Sequence, residues 1–366
     1  MSSLDKLTIK GFKSIENLDQ FELKGLNVFI GGNGAGKTNL ISFFRMLSAM
    51  MRTDGLKQFI AGNAYSYLFN GPKITKEINI KMAFGDNGYD FDLVPTVDGF
   101  FIINNEKRHY FPHDVTRNLG SGKFNPGLLA EKGNSGEYTE HGASWYTYNS
   151  IKSWQIYHFH DTSDEAGMRR YEIVQDSKTL RTDAANIAPF LYRLKTEAPN
   201  EYREILDTVR MVMPFFDEFQ LDVMTFGEAQ KINLSWHQKG SDYPMQPYHL
   251  SDGSIRFICL ATALLQPNPP STIIIDEPEL GLHPAAISIL AELIQDTAKR
   301  TQVIIATQSP ALIDQFAIED IIVVNREKGG SSFKRLAEED FKEWLESYSV
   351  GELWTKNVIA GGPVYE

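Results

Sequence analysis

Apolar residues in this chain fall into three patterns: short unbroken runs, alternating stretches and helical stripes. Leu26–Ile30 and Thr272–Ile275 are compact runs, the second β-branched, and both predict strands buried on two faces. A third such run, in "QVIIATQSP", ends at Thr307-Gln308-Ser309. Helical spacing links Leu40, Phe43, Phe44, Leu47 and Met50, and again Ile287, Leu290, Ala291 and Ile294. Pro284 stands where the second helix would begin, and Lys299 with Arg300 close its C-terminal end. Residues 76–111 alternate and turn at Asp86-Asn87-Gly88, which predicts an antiparallel meander. Residues 113–150, rich in Gly, Ser and Asn, read as loop. Residues 184–212 read as helices broken at Pro199, and 218–237 as further strands. Near the C-terminus, "EEDFKEWLESYSVGELWTKN" predicts a docking helix anchored by Trp344 and Trp354. No heptads are sustained, so long coiled coils are not expected.

The first buried run leads into "GGNGAGKTNL". Gly31-x4-Gly36-Lys37-Thr38 matches the phosphate-loop pattern in full, between a predicted strand and a predicted helix. Glycines let consecutive backbone N–H groups turn toward an anion, and the helix N-terminus adds a favourable dipole. Lys37 would reach the β- and γ-phosphates and the Thr38 hydroxyl would ligate Mg2+. Gly31, Asn33, Gly34, Ala35, Gly36 and Asn39 complete the cradle, and the chain is expected to bind a nucleoside triphosphate. The second buried run ends in Asp276-Glu277. In a phosphate-loop protein an Asp so placed completes the Mg2+ shell, and the next carboxylate can orient or deprotonate the attacking water. Gln308, at the end of the third run, can approach the γ-phosphate by hydrogen bonding.

Composition adds exclusions. Among 366 residues, 42% are hydrophobic and 23% charged, ordinary for a globular protein with two or three lobes. The N-terminal "MSSLDKLTIKGF" lacks a signal-peptide core, and the apolar run Phe257–Leu265 is half a membrane span. A cytosolic protein with no membrane partner is therefore expected. The single cysteine, Cys259, lies in that run and is expected to be buried and inert. A net charge of −11 argues against a broadly basic, nucleic-acid-coating surface. Lys107-Arg108 and Arg169-Arg170 could line a local groove, but solvated loop charges are the better reading of both. In Tyr157-His158-Phe159-His160, alternation puts both histidines on one face of a strand. With no cysteine nearby, a loop beside the nucleotide is favoured over a dedicated metal site there.

A further segment, "HLSDGSIRF" at 249–257, precedes a helical apolar run. Together with the phosphate loop and Asp276-Glu277 it makes the chain resemble an ABC-type ATPase, and more narrowly the RecF/SMC-like branch. "LTIKGFKSIENL" (7–18) resembles the opening strand of those heads, "DEPELGLHP" their Walker B and D-loop, and "IIATQSPALID" their switch strand. "YHFHDTS" (157–163) and "YSVGELWTKNVIAGGP" (348–363) resemble stand-alone bacterial ATPases of this branch, related to RecF and OLD-type heads and linked to DNA repair or phage defence. Both ends of the chain are well covered and the middle only in patches.

The resemblance implies an α/β fold: an ABC ATPase head with a mixed sheet, an antiparallel β subdomain and a short inserted helical arm. It implies ATP with Mg2+, and a homodimer in which Ser251 and Gly253 of one molecule contact the γ-phosphate held by another. Gly253 at a helix mouth and the Ser251 hydroxyl suit an anion, although Ser251 is equally a plain N-cap. Asp252 stands where Gly is commoner, and Gln308 where His often stands, so slow hydrolysis supported by Glu277 is expected. Lys13 or Ser14 is implied beside the nucleotide, and Gln155 or His158–Asp161 are candidates for the Q-loop.

Lys37 and Ser251 lie 214 positions apart (251 − 37), room for an insertion. The expected segments are 1–112 and 215–340 for two ATPase lobes, 113–214 for the arm, and 341–366 for a docking tail. No nuclease motif is visible, so a nuclease or toxin partner would be a separate chain; DNA is a candidate ligand. The alternative reading is a nucleotide-controlled scaffold with little turnover.

Overall fold

A computed structural model describes residues 2–131 and 142–359. Part of the 113–150 stretch, and the last residues of the "YSVGELWTKNVIAGGP" stretch and of the predicted tail, lie outside the described residues. The chain divides into two compact units: 1–156 with 270–274 and 301–366, and 157–269 with 275–300.

The first unit holds an antiparallel sheet of β1 (Lys6–Phe12), β2 (Ile15–Glu22), β4 (Ile78–Phe84), β5 (Asn87–Pro95), β6 (Phe101–Tyr110) and β7 (Val115–Gly120), in the order β2-β1-β4-β5-β6-β7. The predicted meander is β4–β6, with Phe84 opposite Asn87 across its tight turn. A mixed sheet combines β3 (Leu26–Ile30), β8 (Gln155–Tyr157), β15 (Thr272–Asp276), β16 (Gln302–Thr307), β17 (Ile321–Glu327) and β18 (Gly330–Arg335), in the order β18-β17-β3-β16-β15-β8. β3 pairs in parallel with β16 and β17. Its central strands are buried throughout, as continuous apolar runs require.

Helix α1 (Lys37–Met50) carries more buried positions than the predicted stripe, adding Ile41, Met46 and Ala49. It shares one apolar core with residues of both sheets. Phe43 meets Phe12 edge-on at 5.4 Å and Phe44 meets Trp154 at 5.2 Å. Each fully buried phenylalanine contributes about 1.5–3 kcal/mol, so α1 is firmly seated.

Among the described residues, the stretch read as loop holds β7, a short helical turn at Gly127–Glu131 and helix α2 (Ala143–Ser153). β7 is exposed at four of six positions, so it has no alternation to read. The buried side of α2 includes Ser144, Thr147 and Ser150, polar residues that hide a helical stripe.

The second unit contains α3 (Ile187–Glu197), α4 (Pro199–Val212), α5 (Asp252–Leu265) and α6 (Pro284–Ala298). Pro199 starts α4, where its missing N–H costs nothing. Two three-stranded sheets complete it. One is β10 (Phe216–Gln220), β13 (Ser235–Gln238) and β14 (Pro244–Met245); the other is β9 (Glu172–Ile173), β11 (Met224–Phe226) and β12 (Ala229–Ile232). Cys259 is buried, and burial pushes its thiol pKa well up, as an inert thiol requires.

The C-terminal segment departs from expectation. Instead of one helix it forms short turns at Lys342–Leu345 and Val350–Thr355. Trp344 is 47% exposed and is no core anchor; Leu353, fully buried, fills that role. Among the described residues no helix is long and apolar enough to cross a membrane.

Candidate nucleotide site

In the first unit, β3 feeds the phosphate loop and the loop feeds α1. Gly34 and Gly36 adopt φ of 79° and 122°, the region open to glycine. Lys37 is buried, and its Nζ donates to the Gly31 carbonyl at 2.5 Å and the Gly32 carbonyl at 3.4 Å. The ammonium is therefore folded back along the loop. Thr38 is exposed in the first turn of α1. Thr307 lies opposite Ile30 in the parallel register, so Gln308, half-buried, follows directly beside the start of the loop.

Two serines that the sequence did not single out for this task hold the loop from behind. Ser331 Oγ lies 2.7 Å from Ser14 Oγ and donates to the Ala35 carbonyl at 2.5 Å, and Asn39 Nδ2 donates to Ser14 Oγ at 2.7 Å. A Cβ at Gly36 would run into the Ser331 hydroxyl, so glycine is required by packing as well as by φ. Ser14 is thus a buried brace. Lys13 donates to Ser42 Oγ at 2.8 Å and lies 4.7 Å from the centre of the Tyr67 ring; burial lowers its pKa. An anion cradle of backbone N–H groups, a lysine and an exposed threonine hydroxyl fits a nucleotide's phosphates and its Mg2+.

In the second unit, Asp276 ends β15 half-buried and Glu277 follows with φ 46°. A non-glycine residue there costs on the order of 1–3 kcal/mol, which marks this turn as held by its surroundings. The holder is Arg256 on α5. Its buried guanidinium donates to the carbonyls of Phe159 (2.9 Å), His160 (3.3 Å) and Leu280. It ties the loop after β8 to the loop after Glu277, and burial lowers its pKa.

Ser251 caps α5 by accepting from the Ser254 N–H at 3.2 Å and is exposed. Gly253 sits so close to the Gly281 carbonyl that a Cβ would collide with it. Arg169 fastens the same turn, donating to the carbonyls of Thr162 (2.8 Å), Pro247 (2.6 Å) and Leu250 (3.0 Å) and pairing with Asp252 at 3.0 Å. With its side chain 5% exposed, Arg169 is structural and not the solvated loop charge expected. Asp252, the departure from glycine, is its partner. The loop candidates His158–Asp161 follow directly on β8, whereas Gln155 is that strand's first residue.

Residues 26–314 match the family described as "AAA domain, putative AbiEii toxin, Type IV TA system". The chain belongs to that family. It is a RecF/SMC-like ATPase of the ABC type, as its motifs imply. It is 34% identical over 83 residues to the DNA replication and repair protein RecF of Pseudoalteromonas translucida, covering 22% of this chain and 23% of RecF. The chain thus spans under a quarter of that relative's length in the match.

Among solved structures, an SMC head bound to the C-winged helix domain of ScpA superposes with a TM-score of 0.63. It has 15% identity, covering 92% of this chain and 99% of that one. A Pyrococcus furiosus SMC head with an extended coiled coil, bound to the C-terminal domain of ScpA, gives 0.56 at 15% identity, over 94% and 99%. These likenesses establish the α/β head fold of the RecF/SMC-like ATPase.

Proposed function

We propose that this ATPase binds ATP with Mg2+, pairs with a second copy around two nucleotides and hydrolyses them slowly, gating a partner protein or nucleic acid in DNA repair or phage defence. The observation that carries the reading is the braced phosphate loop, with buried Lys37 laid along Gly31 and Gly32 at the mouth of α1. Gly31, Asn33, Gly34, Ala35, Gly36 and Asn39 shape the cradle, and Thr38 and Asp276 would hold the Mg2+ that neutralises phosphate charge. Glu277 accepts a proton from the attacking water. Gln308 hydrogen-bonds the γ-phosphate but cannot relay protons as a histidine could, which keeps turnover slow. Ser251 and the α5 N-terminus present a hydroxyl and backbone donors to the nucleotide held by the second copy.

The test is Glu277→Gln, which removes the base and keeps the shape. On a sizing column this variant should form a dimer with ATP and none without it. A monomer under both conditions would sink the paired mechanism.

The Asp252–Arg169 pair favours a second reading. A carboxylate at the helix mouth opposes an incoming phosphate, which suits a nucleotide-controlled scaffold for a toxin or nuclease partner, with little turnover. The family's description as a putative toxin of a toxin–antitoxin system supports that partner class. Robust ATPase activity stimulated by DNA would exclude the scaffold.

A further inference from the structure

The loop after β8 places two imidazoles beside the carboxylate that ends β15. Tyr157 and Phe159 are buried, with rings 5.2 Å apart, and so the residues on either side of Phe159 turn the other way. The His158 and His160 rings stack at 4.1 Å with an 18° tilt. The loop is fixed at the backbone: the His158 N–H donates to the Thr182 carbonyl at 2.9 Å, and Arg256 binds the next two carbonyls. His160 Nε2 lies 3.0 Å from the Asp276 carbonyl. A carbonyl only accepts, so this bond holds the ring hydrogen at Nε2 and keeps the lone pair at Nδ1. One ligand atom each from His158, His160 and Asp276 lies within 4.8 Å of the other two. Ligands around a common ion at about 2.0–2.2 Å stand roughly 3–4 Å apart, so small side-chain rotations suffice to close the set.

We infer that His158, His160 and Asp276 form a binding site for a divalent transition metal, Mn2+ or Zn2+ class, in preference to Mg2+. Two nitrogens and one carboxylate oxygen are a donor set that Mg2+, which takes oxygen ligands and keeps its waters, binds poorly. Imidazole suits Zn2+, Fe2+ and the later metals, and a carboxylate suits Mn2+. His160 and Asp276 are half-buried and His158 is exposed, so three protein ligands leave positions open to solvent or to a phosphate oxygen. The site needs no nucleotide: all three ligands belong to the second unit. It goes beyond the proposed function: the Mg2+ assigned there arrives with ATP, whereas this site takes its ion in the absence of nucleotide.

The test uses the full chain, stripped with a chelator and free of nucleotide. Titration with Mn2+ should remove the free-ion electron paramagnetic resonance signal to one ion per chain. The bound ion should show nitrogen modulation from imidazole, and Mg2+ in hundredfold excess should not displace it. His158→Ala and His160→Ala should each weaken Mn2+ and Zn2+ binding at least tenfold, with thermal melting confirming that the variants fold. If a variant fails to fold, the nitrogen modulation of the unaltered chain decides alone. No stoichiometric binding of Mn2+ or Zn2+, or a bound ion without nitrogen modulation, overturns the site. Because nucleotide is absent throughout, that failure leaves the ATP reading untouched.

Discussion

Gly253 and Ser251 stand two residues apart and answer to different demands, which substitution can separate. Gly253 faces the Gly281 carbonyl with no room for a methyl group. Gly253→Ala should therefore destabilise the second unit by about 1–3 kcal/mol, the range for overpacking a tight contact, read as a lower melting temperature without any nucleotide. Ser251 is exposed; its hydroxyl caps α5 and lies 2.8 Å from the Ser254 hydroxyl. Ser251→Arg should cost about 1 kcal/mol for the lost cap and leave binding of a fluorescent ATP analogue by the monomer intact. It should abolish ATP-driven pairing, because a long side chain would occupy the face offered to the second copy's nucleotide. If pairing survived on a sizing column, Ser251 would be a helix cap and nothing more.

At the level of elements, the two loops that carry the second unit's candidate residues are tied at the backbone by arginines. Arg256 serves three carbonyls from two loops, and an apolar replacement leaves those acceptors without a donor. Of the three, the Phe159 bond is buried and the other two are part-buried. A buried acceptor left unsatisfied costs about 1–3 kcal/mol, so Arg256→Met should lower stability by about 1–3 kcal/mol, measured from the urea midpoint. A loss below about 1 kcal/mol would mean that the loops hold themselves. Neither arginine's role was legible in the sequence, and the reason is distance along the chain. Strand β3, helix α1, the start of α4 at Pro199 and the cap at Ser251 are local, and periodicity or a motif exposes them. Arg256 finds its partners 97, 96 and 24 positions away, and Ser331 finds Ser14 across 317. The histidine pair was visible as alternation, but its third ligand stands 116 positions beyond His160 (276 − 160), so no local spacing announces it. Trp344 misled for the converse reason: amphipathic spacing promised burial, yet the short turn leaves the ring half in solvent.

For the molecule as a whole, charge decides what class of partner the chain can grip unaided. The net charge is −11, and the arginines of the basic stretches that could have offset it locally are paired with neighbouring acids. Arg108 and Arg117 share Glu131, at 3.7 and 2.8 Å; His109 pairs with Asp90 at 3.1 Å; Arg170 pairs with Glu165. Arg169 is turned inward to Asp252, and Arg181 is divided between Glu172 and Asp176. Binding to DNA draws on release of counterions by cations that can reach phosphates, and a cation already paired must give up one anion to take another. The isolated chain should therefore bind duplex DNA more weakly than the roughly 10⁻⁶ M of a good non-specific binder at physiological salt. DNA alone should leave its ATPase rate within about twofold, since an unbound effector cannot shift the rate. Fluorescence anisotropy across a salt series, run with and without ATP, checks both parts. Micromolar affinity with a steep salt slope would reveal a basic track that these ion pairs do not supply, and would return nucleic acid to the centre of the mechanism. The expected weak binding directs the ATP-dependent step toward a protein partner, for which the charge-paired surface carries no penalty.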